Sequence, residues 1–123
     1  MAKTSGGKII GGFTPMKWNS TNNYNIDTTN DTFIFSLTLG EKYIQTNFQY
    51  SIYCNQGYGP TFGGGHDINI ADGGGGYCNF PFSYNLNGKY TSQQQTWTQF
   101  SGATNSYNVR YTEYEVFEVD FTD

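Results

Sequence analysis

Positive charge is scarce in this chain. Five lysines and one arginine are scattered through 123 residues, against ten acidic side chains, for a net charge of −4 and a pI near 4.7. No basic patch is available to neutralise phosphates, which argues against nucleic-acid binding. The same shortage argues against an anionic membrane surface. Long apolar runs are missing too, so no segment reads as a bilayer-spanning helix. Met1 to Gly7 contain no apolar signal core, and the chain is expected to be cytoplasmic. Cysteine is limited to Cys54 and Cys78, and in a reducing compartment two buried, inert thiols are the default. These two are also the residues that any thiol-dependent antioxidant chemistry would use. His66 is the single histidine, so a zinc site built on several imidazoles is excluded.

What is present is aromatic and glycine-rich. Aromatic residues make up 19% and charged residues only 13%, a balance that argues against disorder and calls for a core built largely from Phe, Tyr and Trp. The length suits one domain over residues 1–123. No helical period is visible, and alternation dominates. Phe33, Phe35, Leu37 and Leu39 share one parity, and a turn follows at Gly40-Glu41-Lys42. Tyr50, Ile52 and Cys54 form a second apolar face. Phe80, Phe82, Tyr84 and Leu86 form a third, with Pro81 suiting an edge strand. Shorter strands are expected at Lys8 to Phe13, Tyr43 to Gln45, Asp67 to Ile70 and Trp97 to Phe100. A last strand, Asn108 to Phe121, changes apolar parity near Val116, which implies a bulge or two covered faces. Glu113, Glu115, Glu118 and Asp120 read as its solvated side, or as an acidic strip for a basic partner. Asn19 to Asn30 and Thr91 to Thr96 read as loops. The expected fold is all-β, a two-sheet antiparallel β-sandwich of roughly eight short strands with little or no helix. Its expected core is Phe33, Phe35, Leu37, Tyr50, Ile52, Phe80, Phe82, Tyr84, Val116 and Phe117.

The glycine window, Gly57 to Gly76, holds the polar residues of interest: His66, Asp67 and Asp72. His66 and Asp67 could ligate a divalent ion, but Asp72 would lie about 20 Å from His66 along an intervening strand at roughly 3.3 Å per residue. Hydrogen bonding of Asp67 and His66 to glycine N–H groups is the simpler role. The Gly57 to Gly65 segment lacks the Gly-Lys-Ser/Thr ending of a phosphate loop and the helix that should follow. No spacing supports a Cys–His–Asp triad. Tyr and Trp beside Asn, Asp and Gly also resemble the composition of a sugar-binding surface.

Gly11-Gly12-Phe13-Thr14, Trp18, Phe33-Ile34-Phe35-Ser36-Leu37, Tyr50-Ser51-Ile52-Tyr53-Cys54, Gly59-Pro60-Thr61-Phe62-Gly63-Gly64-Gly65-His66-Asp67-Ile68 and Glu113-Tyr114-Glu115-Val116-Phe117 follow one another as in a TLDc domain. The resemblance runs from about residue 8 to 119, and the Pro60 to Asp67 stretch is its most specific part. It implies a β-sandwich and a role in oxidative-stress resistance or in binding and regulating the vacuolar proton ATPase. It carries over no catalytic mechanism and no cofactor. The family usually carries a helical segment before the Gly11-Gly12-Phe13-Thr14 strand, where this sequence shows only Met1 to Gly7; the expectation is an excised piece or a minimal version of the domain, with residues 1–7 as a flexible tail. The resulting expectation is a non-catalytic TLDc-like interaction domain with a protein partner, such as a vacuolar ATPase subunit. Gly63, Gly64, Gly65, His66, Asp67 and Asp72 would form its functional loop. A carbohydrate- or metal-binding β-sandwich is the alternative, with His66 and Asp67 as the metal candidates.

Overall fold

Phe-, Ile- and Tyr-rich segments pair as antiparallel ribbons along most of the chain. The computed structural model describes residues 1–18, 21–46, 48–55, 57–71, 75–80, 83–84, 93–103 and 109–117. Among these lie ten strands: β1 (Ala2–Thr4), β2 (Ile9–Phe13), β3 (Asn23–Asn25), β4 (Phe33–Ser36), β5 (Glu41–Ile44), β6 (Ile52–Cys54), β7 (Thr61–Phe62), β8 (Ile68–Ile70), β9 (Gly75–Tyr77) and β10 (Val109–Tyr114). One helix, α1 (Gln93–Phe100), and a 3-10 turn at Phe48–Tyr50 are also described. The strands follow one hydrogen-bonded order, β3-β6-β7-β8-β9-β10-β1-β2-β4-β5. The antiparallel all-β expectation holds, and the order forms a single ten-stranded sheet. A division into two stacked sheets does not follow from it.

Several local expectations need correction. Residues 1–7 are not merely a tail: β1 pairs with β10 on one side and β2 on the other, placing Ala2 against Tyr114 and Ile10. Its side chains alternate, with Ala2 and Thr4 buried. The ladder irregularity lies between Lys3 and Thr4, opposite Thr112, and not near Val116. Val116 and Phe117 lie beyond β10 and are 69% and 65% exposed, so neither is core. Asn23–Asn25 forms a strand inside the expected loop because Tyr24 pairs with Tyr53. The Trp97 to Phe100 segment is helical, not extended. Its polar first turns show no amphipathic signal, but Phe100 is fully buried against Tyr43 and Phe80 at 5.7 and 4.8 Å.

The largest correction is one of parity. On β4 the buried residues are Ile34 and Ser36, with Thr32 just before them, while Phe33 and Phe35 are half-buried. Alternation favoured the Phe33 and Phe35 face, yet pairing with β2 and β5 turns the Thr32, Ile34 and Ser36 face inward. The buried polar groups are satisfied locally: Ser36 Oγ accepts the Leu39 N–H at 3.0 Å, and Thr32 Oγ1 donates to Asp27 at 2.7 Å. The Ser36 contact belongs to a turn over 37–40, which leaves Leu37 56% exposed. Tyr50 is half-buried on the 3-10 turn, not on a strand.

The core that results draws Ile10, Ile34 and Tyr43 from one end of the sheet and Ile52, Phe62 and Ile68 from the other. Phe80, Tyr84 and Phe100 belong to the same core. Gly12 admits the Phe62 ring so closely that a Cβ there would overlap it. Phe82, Leu86, Glu118, Asp120 and Phe121 lie outside the described residues.

Candidate functional site

β7 and β8 are joined by a turn over 63–67. Their register, Thr61 opposite Asn69 and Phe62 opposite Ile68, brings the two strands together at once. Closing so short a connection puts Gly63 at φ +90° and His66 at φ +59°, both left-handed. A Cβ on Gly63 would fall inside the Asp67 carboxylate. That carboxylate is fully buried and accepts the Ser83 N–H through its two oxygens, at 3.0 and 3.1 Å. Ser83 Oγ in turn accepts the Gly64 N–H at 2.9 Å. The His66 N–H donates to Gly63 O, and His66 O accepts the Asn79 N–H. Asn79 Nδ2 donates to Gly65 O at 2.5 Å. Every residue of the turn is thus tied either to its own backbone or to Asn79, Phe80 or Ser83.

A ring surface lies over this turn. Tyr24 Oη donates to Gly64 O at 2.7 Å, and its ring sits 4.9 Å from Tyr50 and 4.7 Å from Tyr53. The imidazole of His66 stacks on Tyr53 at 5.6 Å and 25°. Tyr58 meets Tyr53 at 5.3 Å and the edge of His66 at 5.4 Å. Tyr58 is 40% exposed, yet its backbone is fixed. Its N–H donates to Asn55 O at 3.0 Å and its carbonyl accepts Asn69 Nδ2 at 2.8 Å. Asn55 supports the same loop by accepting the Gly57 N–H at 2.9 Å.

Burial pushes His66 below its ordinary pKa, so the imidazole is neutral at pH 7. Burial, and then the neighbouring Tyr53, Tyr50 and Tyr58, raise the Tyr24 phenol. His66 and Tyr24 therefore add aromatic faces and hydrogen-bonding groups without charge at neutral pH.

The predicted site residues separate in space. Gly63, Gly64, Gly65, His66 and Asp67 come together in the turn. Asp72 lies outside the described residues. Asp67 turns into the core toward Ser83, whereas the His66 ring packs on Tyr53 and Tyr58. Among the described residues no three His, Cys, Asp or Glu side chains form a group that could hold a metal ion. Cys54 and Cys78 are both free and buried. Burial pushes the Cys78 thiol up to about 12. Tyr24, Tyr53 and Tyr58 were not among the site residues expected from the sequence. Two signals point to them in retrospect: Tyr58 sits between two glycines, and Tyr53 has the parity opposite to buried Ile52 and Cys54.

Comparison with known families finds that the TLDc domain model matches residues 1–120. No curated protein and no solved structure matches.

Proposed function

The chain belongs to the TLDc domain family, and from that premise we propose that it is a non-catalytic interaction domain whose tyrosine and histidine surface binds a protein partner. The setting proposed is the cytoplasm, in oxidative-stress resistance or in regulation of the vacuolar proton ATPase through one of its subunits. The observation that carries this reading is Tyr58: an exposed ring on a backbone held by Asn55 and Asn69. A rigid tyrosine offers a large contact area and loses little entropy on binding. The high pKa of Cys78 disfavours thiol chemistry at that residue, because little thiolate forms there near pH 7.

Carbohydrate binding is a second reading. It is favoured by the half-buried Tyr53 and exposed Tyr58 beside Asn55, whose Nδ2 lies 3.4 Å from Tyr53 Oη.

The test is calorimetric titration of isolated vacuolar ATPase subunits into the chain and its Tyr58→Ala variant, with a glycan array run in parallel. Micromolar binding to one subunit, weakened about tenfold or more by the variant, is expected. Glycan binding without subunit binding would replace the reading with the carbohydrate one.

A further inference from the structure

A second surface lies on the opposite face of β2, β4 and β5, and strand register determines its content. Phe13, Phe33 and Ile44 form one row across the three strands, and Gly11, Phe35 and Lys42 form the next. Ile9 closes the patch where its carbonyl accepts the Leu37 N–H at 2.9 Å. The alternate positions, Ile10, Ile34 and Tyr43, are fully buried in the core. The three outward phenylalanines are half-buried, whereas Ile9 is 36% and Ile44 43% exposed. Phe13 and Phe33 rings lie 5.4 Å apart, and Phe33 and Phe35 6.2 Å. Lys42 is the one charged residue at the outward positions of these strands, and its ammonium sits 4.3 Å over the Phe33 ring.

We propose that this face receives one amphipathic α-helix from a partner protein, with a carboxylate set in the apolar stripe of that helix to meet Lys42. Dimensions select a helix. Three strands at about 4.8 Å spacing present a platform about 10 Å wide, and the five residues of β2 run about 17 Å. A helix is about 10 Å across and covers 17 Å in about three turns. Charge selects the carboxylate. An ammonium has three donors, so Lys42 can bond a partner oxygen in addition to its present contacts. A second copy of this chain fits poorly. A two-fold contact would bring Lys42 from each side onto a face whose outward strand positions hold no acidic residue, inside a water-excluding interface. Two chains of net charge −4 also repel.

The probe is a synthetic 15-residue peptide with Leu at helical spacing i, i+3, i+4, i+7 and one Glu within that stripe, paired with a twin carrying Lys in place of the Glu. Each is titrated into the 15N-labelled full chain. Amide shifts should centre on Phe33, Phe35, Lys42 and Ile44, with the Glu peptide binding about tenfold or more tighter than its twin. In the Lys42→Glu variant, its folding checked by circular dichroism, the preference should reverse. Shifts centred on Tyr58 and His66, equal affinity for both peptides, or no binding of the Glu peptide at millimolar concentration would overturn the proposal. So would dimerisation of the chain alone that Ile44→Glu abolishes. None of these outcomes depends on whether Tyr58 binds a subunit.

Discussion

Replacing Gly63 by alanine should be among the most damaging single changes in this protein. Gly63 sits at φ +90°, where an L side chain costs about 1–2 kcal/mol. The added Cβ would also occupy the position of the Asp67 carboxylate. Asp67 is fully buried and would have to leave the Ser83 N–H, a loss of about 1–3 kcal/mol for a buried charged acceptor. The combined cost, about 2–5 kcal/mol, is a large share of the 5–15 kcal/mol that holds a typical domain together. At this chain length about 4 °C of melting temperature follows each kcal/mol, so a drop of about 8–20 °C is expected. Urea denaturation of the wild type, Gly63→Ala, Asp67→Ala and the double variant separates the two contributions. With Asp67 truncated the overlap with its carboxylate is gone, leaving backbone strain and a tight 3.1 Å approach to the Cβ of residue 67. The double variant should therefore be more stable than the sum of the single effects predicts, by about 1 kcal/mol or more. Strict additivity, or a Gly63→Ala cost under 1 kcal/mol, would refute the account of the turn.

Three further outcomes are expected. At Asp27 burial opposes ionisation, but hydrogen bonds from Thr29 and Thr32 outweigh it and hold the carboxyl below its usual range. A depressed pKa contributes stability above the unfolded-state value of about 3.9, and that contribution fades as pH falls through the folded-state value. The stability gap between wild type and Asp27→Asn should accordingly be wide at pH 7 and shrink in acid; a gap independent of pH would count against these bonds. His66 is the only histidine, so its NMR titration is unambiguous and should give a pKa below 6.5. Its protonation then costs stability as pH falls below the unfolded-state value, and a midpoint at or above 6.5 would contradict the buried, stacked ring. Cys54 and Cys78 should resist a thiol reagent at pH 8 until denaturant is added, because both are buried and Cys78 is pushed up to about 12. Rapid stoichiometric labelling of the native chain would show that one of them is accessible.

Much of the turn was legible from local pattern. Gly63 needs no Cβ, Asp67 follows at a distance that lets its carboxylate fold back, and Ile68 to Ile70 continue as β8. The ring surface was not legible, because Tyr24, Tyr58 and His66 belong to three separate segments joined only by the pairing of β3 with β6 and by the β7–β8 turn. The helix α1 was hidden for a similar reason. Gln93 to Trp97 carries no apolar period, and the residue that anchors it, Phe100, finds Tyr43 and Phe80 only in the folded chain.

From its residues alone this chain is committed to antiparallel strands, an aromatic core and a glycine turn at Gly63, since period-two alternation and backbone sterics act between near neighbours. Tertiary structure decided which side of β4 faces inward, and it made β1 a paired strand between β2 and β10. Local alternation pointed to Phe33, Phe35 and Leu37, but the side carrying Thr32, Ile34 and Ser36 is the one buried. The choice rests with Ile10, Tyr43 and Phe62, whose positions depend on strand pairing distant in sequence.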